Sequence, residues 1–431
     1  MKQLVLVAAH FPPGNLASVH RARLWAQHLQ EFGWAPTILT THYRHYEEAL
    51  DWDLQRLTSP ELPVIRTAAL PVRPFRVVGD IGIRGFPFHY RALSQLARRG
   101  AIDFLHITIP PFYSALLGRL IHRRYGVAFG IDYIDPWVHA WPGANRTLSK
   151  GWASLRLAQA LEPWAVRDAA LITGVAPEYA RPMLDRHPEV RARAVVAAMP
   201  YGGSELDMDW LRQHPRAPFL FEPGDGACHV IYAGAMLPNA YTVLERLFEA
   251  IVRLRGEHPA VAARLRLHFV GTGRSPDDPE GHNIRPYIER FGLAGLVDEQ
   301  PARIPYLDVL NHLQHASATL ILGSTERHYT PSKAFQAVQA RRPILAILHE
   351  ASTAAAFLRQ ARAGQVVTFP DGGLPTLAGL VDALHTLIAG PVTPPDVDWT
   401  AIDQYSARAS ARALASALDE AFERHNRRKV V

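Results

Sequence analysis

The stretch TERHYTPSKAFQAVQARRPILAIL, residues 325–348, carries the side chains best suited to hold a charged substrate. It brings two hydroxyls (Thr330 and Ser332), a proline (Pro331) and an ammonium group (Lys333) to the point where a helix is predicted to begin. Proline is tolerated in a first turn, where its missing N–H costs nothing. The free N–H groups and the positive end of the helix dipole then face whatever lies ahead of them, an arrangement suited to phosphate. A departing diphosphate gathers charge, and donors aimed at that charge favour the transition state. An ordinary helix start with one solvated lysine would show the same residues. Lysine occurs at positions 2, 150, 333 and 429, and Lys333 is the one that opens a helix inside a predicted core.

Two further clusters have chemical potential. IDYIDPW, residues 131–137, ends a predicted strand with two carboxylates. Strand alternation puts Asp132 and Asp135 on different faces. Asp135, next to Pro136, is the one expected to orient or deprotonate a hydroxyl, the alternative being a turn aspartate. HFPPGNLASVH, residues 10–20, places Gly14 and Asn15 in a strand-to-helix loop, where a glycine lets the backbone approach a phosphate or sugar closely, although any turn would show one glycine. No His/Cys cluster has metal-ligand spacing. Asp-x-Asp occurs at 51/53, 207/209 and 396/398, but none of these follows a predicted buried strand, so no metal is expected. Gly-x-Ser-x-Gly and P-loop patterns are absent, which argues against acyl hydrolases and P-loop kinases.

The elements that must position these residues follow from length and pattern. A chain of 431 residues exceeds one hydrophobic core and predicts two domains. With 48% hydrophobic and 20% charged residues it is globular. A single cysteine, Cys228, permits no internal disulfide and fits a reducing compartment. The N-terminal apolar run is too short for a signal peptide and reads as a buried strand. No apolar run reaches the length of about 18 residues needed to span a membrane. The net charge of +6 comes mainly from arginine and allows nucleic acid, anionic lipid or phosphorylated partners. No nucleic-acid-binding signature is present, so no nucleic-acid partner is expected.

Lys2 to Ala8 reads as a strand, followed by a helix capped by Ser18 and ended at Gly33, then a strand from Ala35 to Thr40, together one βαβ unit. Thr41 to Phe88 reads as irregular, and Arg91 to Arg99 as helical. Strands at 103–107, 127–134, 171–173 and 194–198 alternate with helices at 110–125, 151–170 and 177–185. A turn-rich hinge, MPYGGSELD, follows. The alternation then restarts, with strands at 229–233, 265–270 and 318–322 and the loops that begin at Gly234 and Gly271. The fold class is therefore α/β with doubly wound, Rossmann-like domains. The first domain is placed at 1–203, the second at 204–395, and a last helix at about 401–427 is expected to pack back on the first.

The order of these segments resembles glycosyltransferase family 4, whose members have the two-domain GT-B fold with the domains facing a central cleft. HFPPGNLASVHRARLWAQHLQEFGW is similar to the family's first loop and helix, DYIDPW to its acceptor-side strand end, and YTPSKAFQAVQARRPILAI to its Glu-x7-Glu helix. The resemblance implies a cytoplasmic, retaining, metal-independent glycosyltransferase that uses a nucleotide-diphosphate sugar as co-substrate and has no other cofactor. Its acceptor would be a hydroxyl on a glycan, a lipid-linked or a small molecule, in polysaccharide or glycoconjugate biosynthesis. It implies donor contacts from Gly14, Gly234, Arg274, Thr330, Ser332, Lys333 and Gln336, acceptor contacts from His10, Asn15 and Asp135, and catalytic roles for Asp135, Glu326 and Lys333. Arg98, Arg99, Arg119, Arg123 and Arg124 would form a basic patch for peripheral contact with an anionic membrane at its inner face. The departures are specific. Gln336 stands at the motif's second Glu and His328 at its first, with Glu326 two residues earlier. Ala235, Met236 and Leu237 follow Gly234 where the family often has Arg and Lys. These keep two alternatives open: a nucleotide-sugar epimerase of the same fold, or a homologue that binds a nucleotide sugar without transferring it.

Overall fold

The computed structural model describes residues 1–72, 78–139, 143–236, 238–273, 281–326 and 334–430. The chain divides into two compact units, Met1–Gly202 with Ala407–Val431, and Gly203–Ser406.

The first unit is built on β1 (Lys2–Val7), β2 (Trp34–Thr41), β3 (Val64–Thr67), β4 (Phe104–Ile109), β5 (Ala128–Tyr133), β6 (Leu171–Gly174) and β7 (Val195–Ala198). They form one sheet in the order β3-β2-β1-β4-β5-β6-β7, with every pairing parallel. The second unit has β8 (Cys228–Ala233), β9 (Leu265–Val270), β10 (Val297–Gln300), β11 (Ala318–Leu322), β12 (Ile344–His349) and β13 (Gln365–Phe369). Its order is β10-β9-β8-β11-β12-β13, again all parallel. Helices cover both faces of such sheets, so central strands are apolar throughout: β4, β5, β11 and β12 are buried at every residue. In each sheet the strand order reverses once, between β1 and β4 and between β8 and β11. In open α/β sheets the crevice outside the carboxyl ends of the strands at such a reversal is where ligands bind.

Several local expectations needed correction. The helix expected at Arg91–Arg99 runs from Ile81 to Arg98, with Asp80 Oδ1 accepting from the Ile83 N–H at 3.0 Å as its cap. Gly82, Gly85 and Pro87 read as breakers in the sequence, but the glycines are there for close packing. A Cβ on Gly82 would lie 2.8 Å from Pro111, and one on Gly85 would lie 2.9 Å from Thr41 Oγ1. The supposedly irregular stretch before it also holds β3 and a short helix, Trp52–Gln55. Ser18 is not a cap: the helix Ala17–Ala26 starts ahead of it, and Ser18 is buried within. The turn-rich hinge reading also missed a helix, Glu205–Gln213, capped by Ser204.

The helix Ala407–Val430 packs in the first unit against Ala17–Ala26 and β7. Ala411, Leu414 and Leu418 join Trp25, Trp34 and Phe104 in one core cluster. Trp25 Nε1 donates to Ser410 Oγ at 3.0 Å, and Lys2 Nζ donates to Asp419 at 2.6 Å. Among the described residues no helix is long and apolar enough to cross a membrane.

Candidate active site

In the second unit, the loops after β8 and β11 meet at the strand-order reversal. The Gly234 N–H extends the ladder to the Val270 carbonyl at 2.9 Å; its φ is 152°, and a Cβ there would meet only the Tyr232 hydroxyl, at 3.8 Å, among the described residues, so backbone is left bare at the end of β8. Asn239 ties the two loops together. Its carbonyl accepts from the Thr325 N–H at 3.1 Å, and its Nδ2 donates to Glu326 Oε1 at 2.7 Å. The buried Ser324 hydroxyl accepts from the Glu326 N–H at 3.3 Å, so main chain and carboxylate are both held. Glu326 itself is exposed, at the mouth of the crevice. Thr330, Ser332, Lys333, His328 and Arg274 lie outside the described residues.

Gln336 is half-buried on the helix Ala334–Gln339. Its Nε2 donates to the Tyr306 hydroxyl at 3.4 Å, and Tyr306 donates in turn to the fully buried Asp207 at 2.9 Å. Gln336 Oε1 is shut off from solvent and accepts no hydrogen bond among the described residues. Gln339, on the same helix, is buried against Gly203, where a Cβ would lie 2.2 Å from Gln339 Oε1. The GTG loop after β9 is held by Glu299 on β10. This carboxylate accepts from Thr272 Oγ1 at 2.5 Å and from the N–H groups of Asn283, Ile284 and Arg285 at 2.8–3.0 Å. Burial is the largest single influence on Glu299 and raises its pKa, but these donors together outweigh it and hold the group below the usual carboxylate range.

In the first unit, the loop after β1 is clasped to residues 46–51. His10 Nδ1 lies 2.6 Å from Glu48 Oε1, and the Asp51 N–H donates to the Pro13 carbonyl at 2.7 Å. Gly14 is needed for this clasp, since a Cβ would lie 3.0 Å from Glu48 Oε1 and 3.2 Å from the Tyr46 ring. Asn15 is engaged within the loop: Nδ2 donates to Asp51 at 3.0 Å, and Oδ1 lies 2.9 Å from His20 Nε2. Burial pushes the Glu48 pKa up, but the His10 hydrogen bond and charge, with nearby backbone N–H groups, bring it below its ordinary value. Asp80, half-buried at the same crevice, goes the other way: burial raises it more than its cap donors and His10 lower it. The sequence reading missed Glu48, Asp80 and Asn239. Each sits in a loop with no motif around it, and only the tertiary fold shows which strand ends they adjoin.

Asp132 and Asp135 have separated roles. Asp132 is buried in β5, bound by Arg21 through two hydrogen bonds of 3.0 Å and by Thr173 Oγ1 at 2.7 Å. Asp135 lies past the strand end and is exposed, yet it is recessed enough for desolvation to raise its pKa against the opposing pull of His139. The basic patch loses one member. Arg119 is buried, donates to Asp168 at 2.7 Å and lies over the Trp164 ring, so it is not a surface charge.

No protein-family profile matches the chain, and no curated protein sequence does. Solved structures do. Sucrose-phosphate synthase from Thermosynechococcus elongatus aligns over 99% of this chain and 94% of its own, with a TM-score of 0.56 and 15% identity. Anabaena HepE, solved in complex with UDP and glucose, aligns over 100% of both chains with a TM-score of 0.54 and 13% identity. An α,α-trehalose 6-phosphate synthase from Burkholderia multivorans covers 100% of this chain and 95% of its own, with a TM-score of 0.53 and 13% identity. The fold is GT-B. At these identities the likeness carries the architecture alone. In GT-B terms, β1–β7 belong to the first Rossmann-like sheet and β8–β13 to the second, and the loops described above leave the carboxyl edges of both.

Proposed function

We propose that the protein is a glycosyltransferase that moves a sugar from a nucleotide-diphosphate sugar to an acceptor hydroxyl, with retention and without a metal ion. The observation that carries this reading is the Asn239–Glu326 pair at the order reversal of the second sheet, a few residues ahead of the Lys333 helix start. In this reading the donor binds the second unit. Bare backbone at Gly234 faces the diphosphate, and Thr330, Ser332, Lys333 and Arg274 supply donors to it. Gln336 Oε1, which accepts no hydrogen bond among the described residues, accepts from a ribose hydroxyl. Glu326 accepts from a hydroxyl of the donor sugar, held for that by Asn239. The acceptor binds the first unit by His10 and Asp135, with Asp135 orienting its hydroxyl. The hydroxyl attacks on the face from which the diphosphate leaves, and the departing phosphate takes its proton. Peripheral contact of the cytoplasmic protein with an anionic membrane, at its inner face, would use Arg98, Arg99, Arg123 and Arg124. The solved complex of the GT-B neighbour HepE with UDP-glucose supports a nucleotide-sugar ligand.

A second reading, binding of the nucleotide sugar without transfer, is favoured by the amide at Gln336, which offers weaker acceptance than a carboxylate. A panel of nucleotide sugars, each incubated with the protein with and without candidate acceptors, decides between them. Release of free nucleoside diphosphate that depends on an acceptor supports transfer. Saturable binding without release supports the second reading, and the absence of binding overturns both.

A further inference from the structure

A separate cavity of about 260 Å³ lies in the first unit at the amino ends of β5, β6 and β7. Parallel strands place all amino ends on one edge of the sheet, so this cavity is at the opposite edge from His10 and Asp135. Its lining includes Arg193, Arg424, Arg428, His122 and His425, against one carboxylate, Asp168. That carboxylate is already engaged, because Arg119 Nε donates to it at 2.7 Å. Arg424 pairs with Glu420 along its own helix. The charge of the other two guanidinium groups is less well answered. Arg193 Nη2 is shut off from solvent and donates to no acceptor among the described residues. Arg428 Nη2 reaches the Arg193 carbonyl at a long 3.4 Å. Burial is the main cause that pulls the Arg193 guanidinium below its ordinary pKa; Asp168 opposes it and Arg428 adds to it. A buried donor without a partner is costly, and an anion in the cavity would supply one.

The imidazoles are fixed in place. His122 Nδ1 donates to the Val127 carbonyl at 3.0 Å, and His425 Nε2 donates to the Gly126 carbonyl at 3.1 Å. The volume is below the range of about 300–1,000 Å³ typical of drug-sized ligand pockets, which suits a phosphate group on a small carrier and is too small for a nucleotide sugar. Planar guanidinium forks match phosphate oxygens in pairs.

We propose that this cavity binds a phosphate group, brought by inorganic phosphate or a small phosphorylated metabolite, independently of the transfer reaction proposed above. Thermal melting and calorimetry of the full chain with inorganic phosphate test it, with sodium chloride at matched ionic strength as the control. A saturable rise in Tm is expected with phosphate. Arg193→Gln and Arg428→Gln should each weaken the apparent Kd by about tenfold or more, as expected for one lost charge-assisted hydrogen bond. Arg428 is exposed on the last turns of its helix, so this variant reports on binding even if Arg193→Gln misfolds. Lys333→Ala should keep the response. An equal response to chloride, or unchanged affinity in Arg428→Gln and in folded Arg193→Gln, overturns the proposal. So does loss of the response in Lys333→Ala alone. Arg428-dependent binding to phosphatidic acid vesicles, with no response to inorganic phosphate, would assign the cavity to a lipid headgroup and overturn the soluble ligand.

Discussion

The Arg21–Asp132 pair gives the most direct test of how the first unit holds its site. Both side chains are fully buried. Arg21 binds Asp132 in a fork of two 3.0 Å bonds, donates through Nη1 to the carbonyls of Met199 and Pro200 at 2.6 and 3.1 Å, and lies 4.1 Å over the Trp25 ring. Arg21→Met keeps most of the volume and removes every one of these donors. Asp132 would then be a buried carboxylate answered by Thr173 Oγ1. Stranding one member of a buried pair costs about 3–5 kcal/mol. With an m-value near the top of the range of about 1–3 kcal/mol/M for urea, the midpoint of the first unit should fall by about 1–2 M. The second unit contains neither residue, so its transition should stay in place. Arg21→Met combined with Asp132→Leu removes the stranded charge and should recover at least about half of the loss, since a buried pair replaced by apolar groups is often close to neutral. Urea titrations followed by tryptophan fluorescence, where Trp25 sits under Arg21, read all three proteins. A loss below about 1 kcal/mol in Arg21→Met, or no recovery in the double variant, refutes the argument.

Lys333→Ala should weaken nucleoside-diphosphate binding by about 1.5–3 kcal/mol, measured by calorimetry; unchanged affinity removes the proposed phosphate contact. Asn239→Ala frees the Glu326 carboxylate and should raise KM for the sugar donor by several-fold while affinity for the free nucleoside diphosphate stays constant, because in the proposed site Asn239 acts through Glu326 and not on the phosphates. Equal losses in both would count against that division of roles. Acid should destabilise the first unit through His89 and His106, whose pKa values are each pushed down to about 4, chiefly by burial. Their folded pKa values lie below the unfolded value, so the unfolded chain binds the proton more tightly between about pH 6.5 and 4, and each histidine removes about 1.4 kcal/mol per pH unit as pH falls through that window. Urea midpoints that stay flat from pH 6.5 to 5 would contradict this.

The alternation of apolar runs and helical segments made the two doubly wound units legible, because strands buried on both faces leave continuous hydrophobic runs such as FLHITI and ILAILH. Elements held by side chains distant in sequence were not legible. The helix Ile81–Arg98 contains two glycines and a proline that local rules read as a break, and its glycines are explained by Pro111 and Thr41, from other elements. Strand β10, VDEQ, has no apolar run to show itself; it is held by its parallel ladder with β9, and its Glu299 accepts from the N–H groups at the start of the helix Arg285–Arg290. The same limit applies to the site. Asp132 and Asp135 have the same residue type three positions apart, and partners distant in sequence, Arg21, 111 residues away, and Thr173, make Asp132 structural, whereas Asp135 is exposed.

Gln336 shows how a departure in sequence can have a local physical cause. The resemblance to glycosyltransferase family 4 implies a glutamate there. In this chain the Tyr306 hydroxyl gives its proton to buried Asp207, so its oxygen can only accept from the group at 336. An amide N–H can donate to it, whereas an ionised carboxylate cannot. Among the described residues, the oxygen of the same amide is then the atom left without a partner. One side chain thus meets the internal demand of the Tyr306–Asp207 chain with its nitrogen, and its oxygen is the atom that the proposed donor site assigns to a ribose hydroxyl. The glutamine is thereby matched, through Tyr306, to the buried aspartate at position 207.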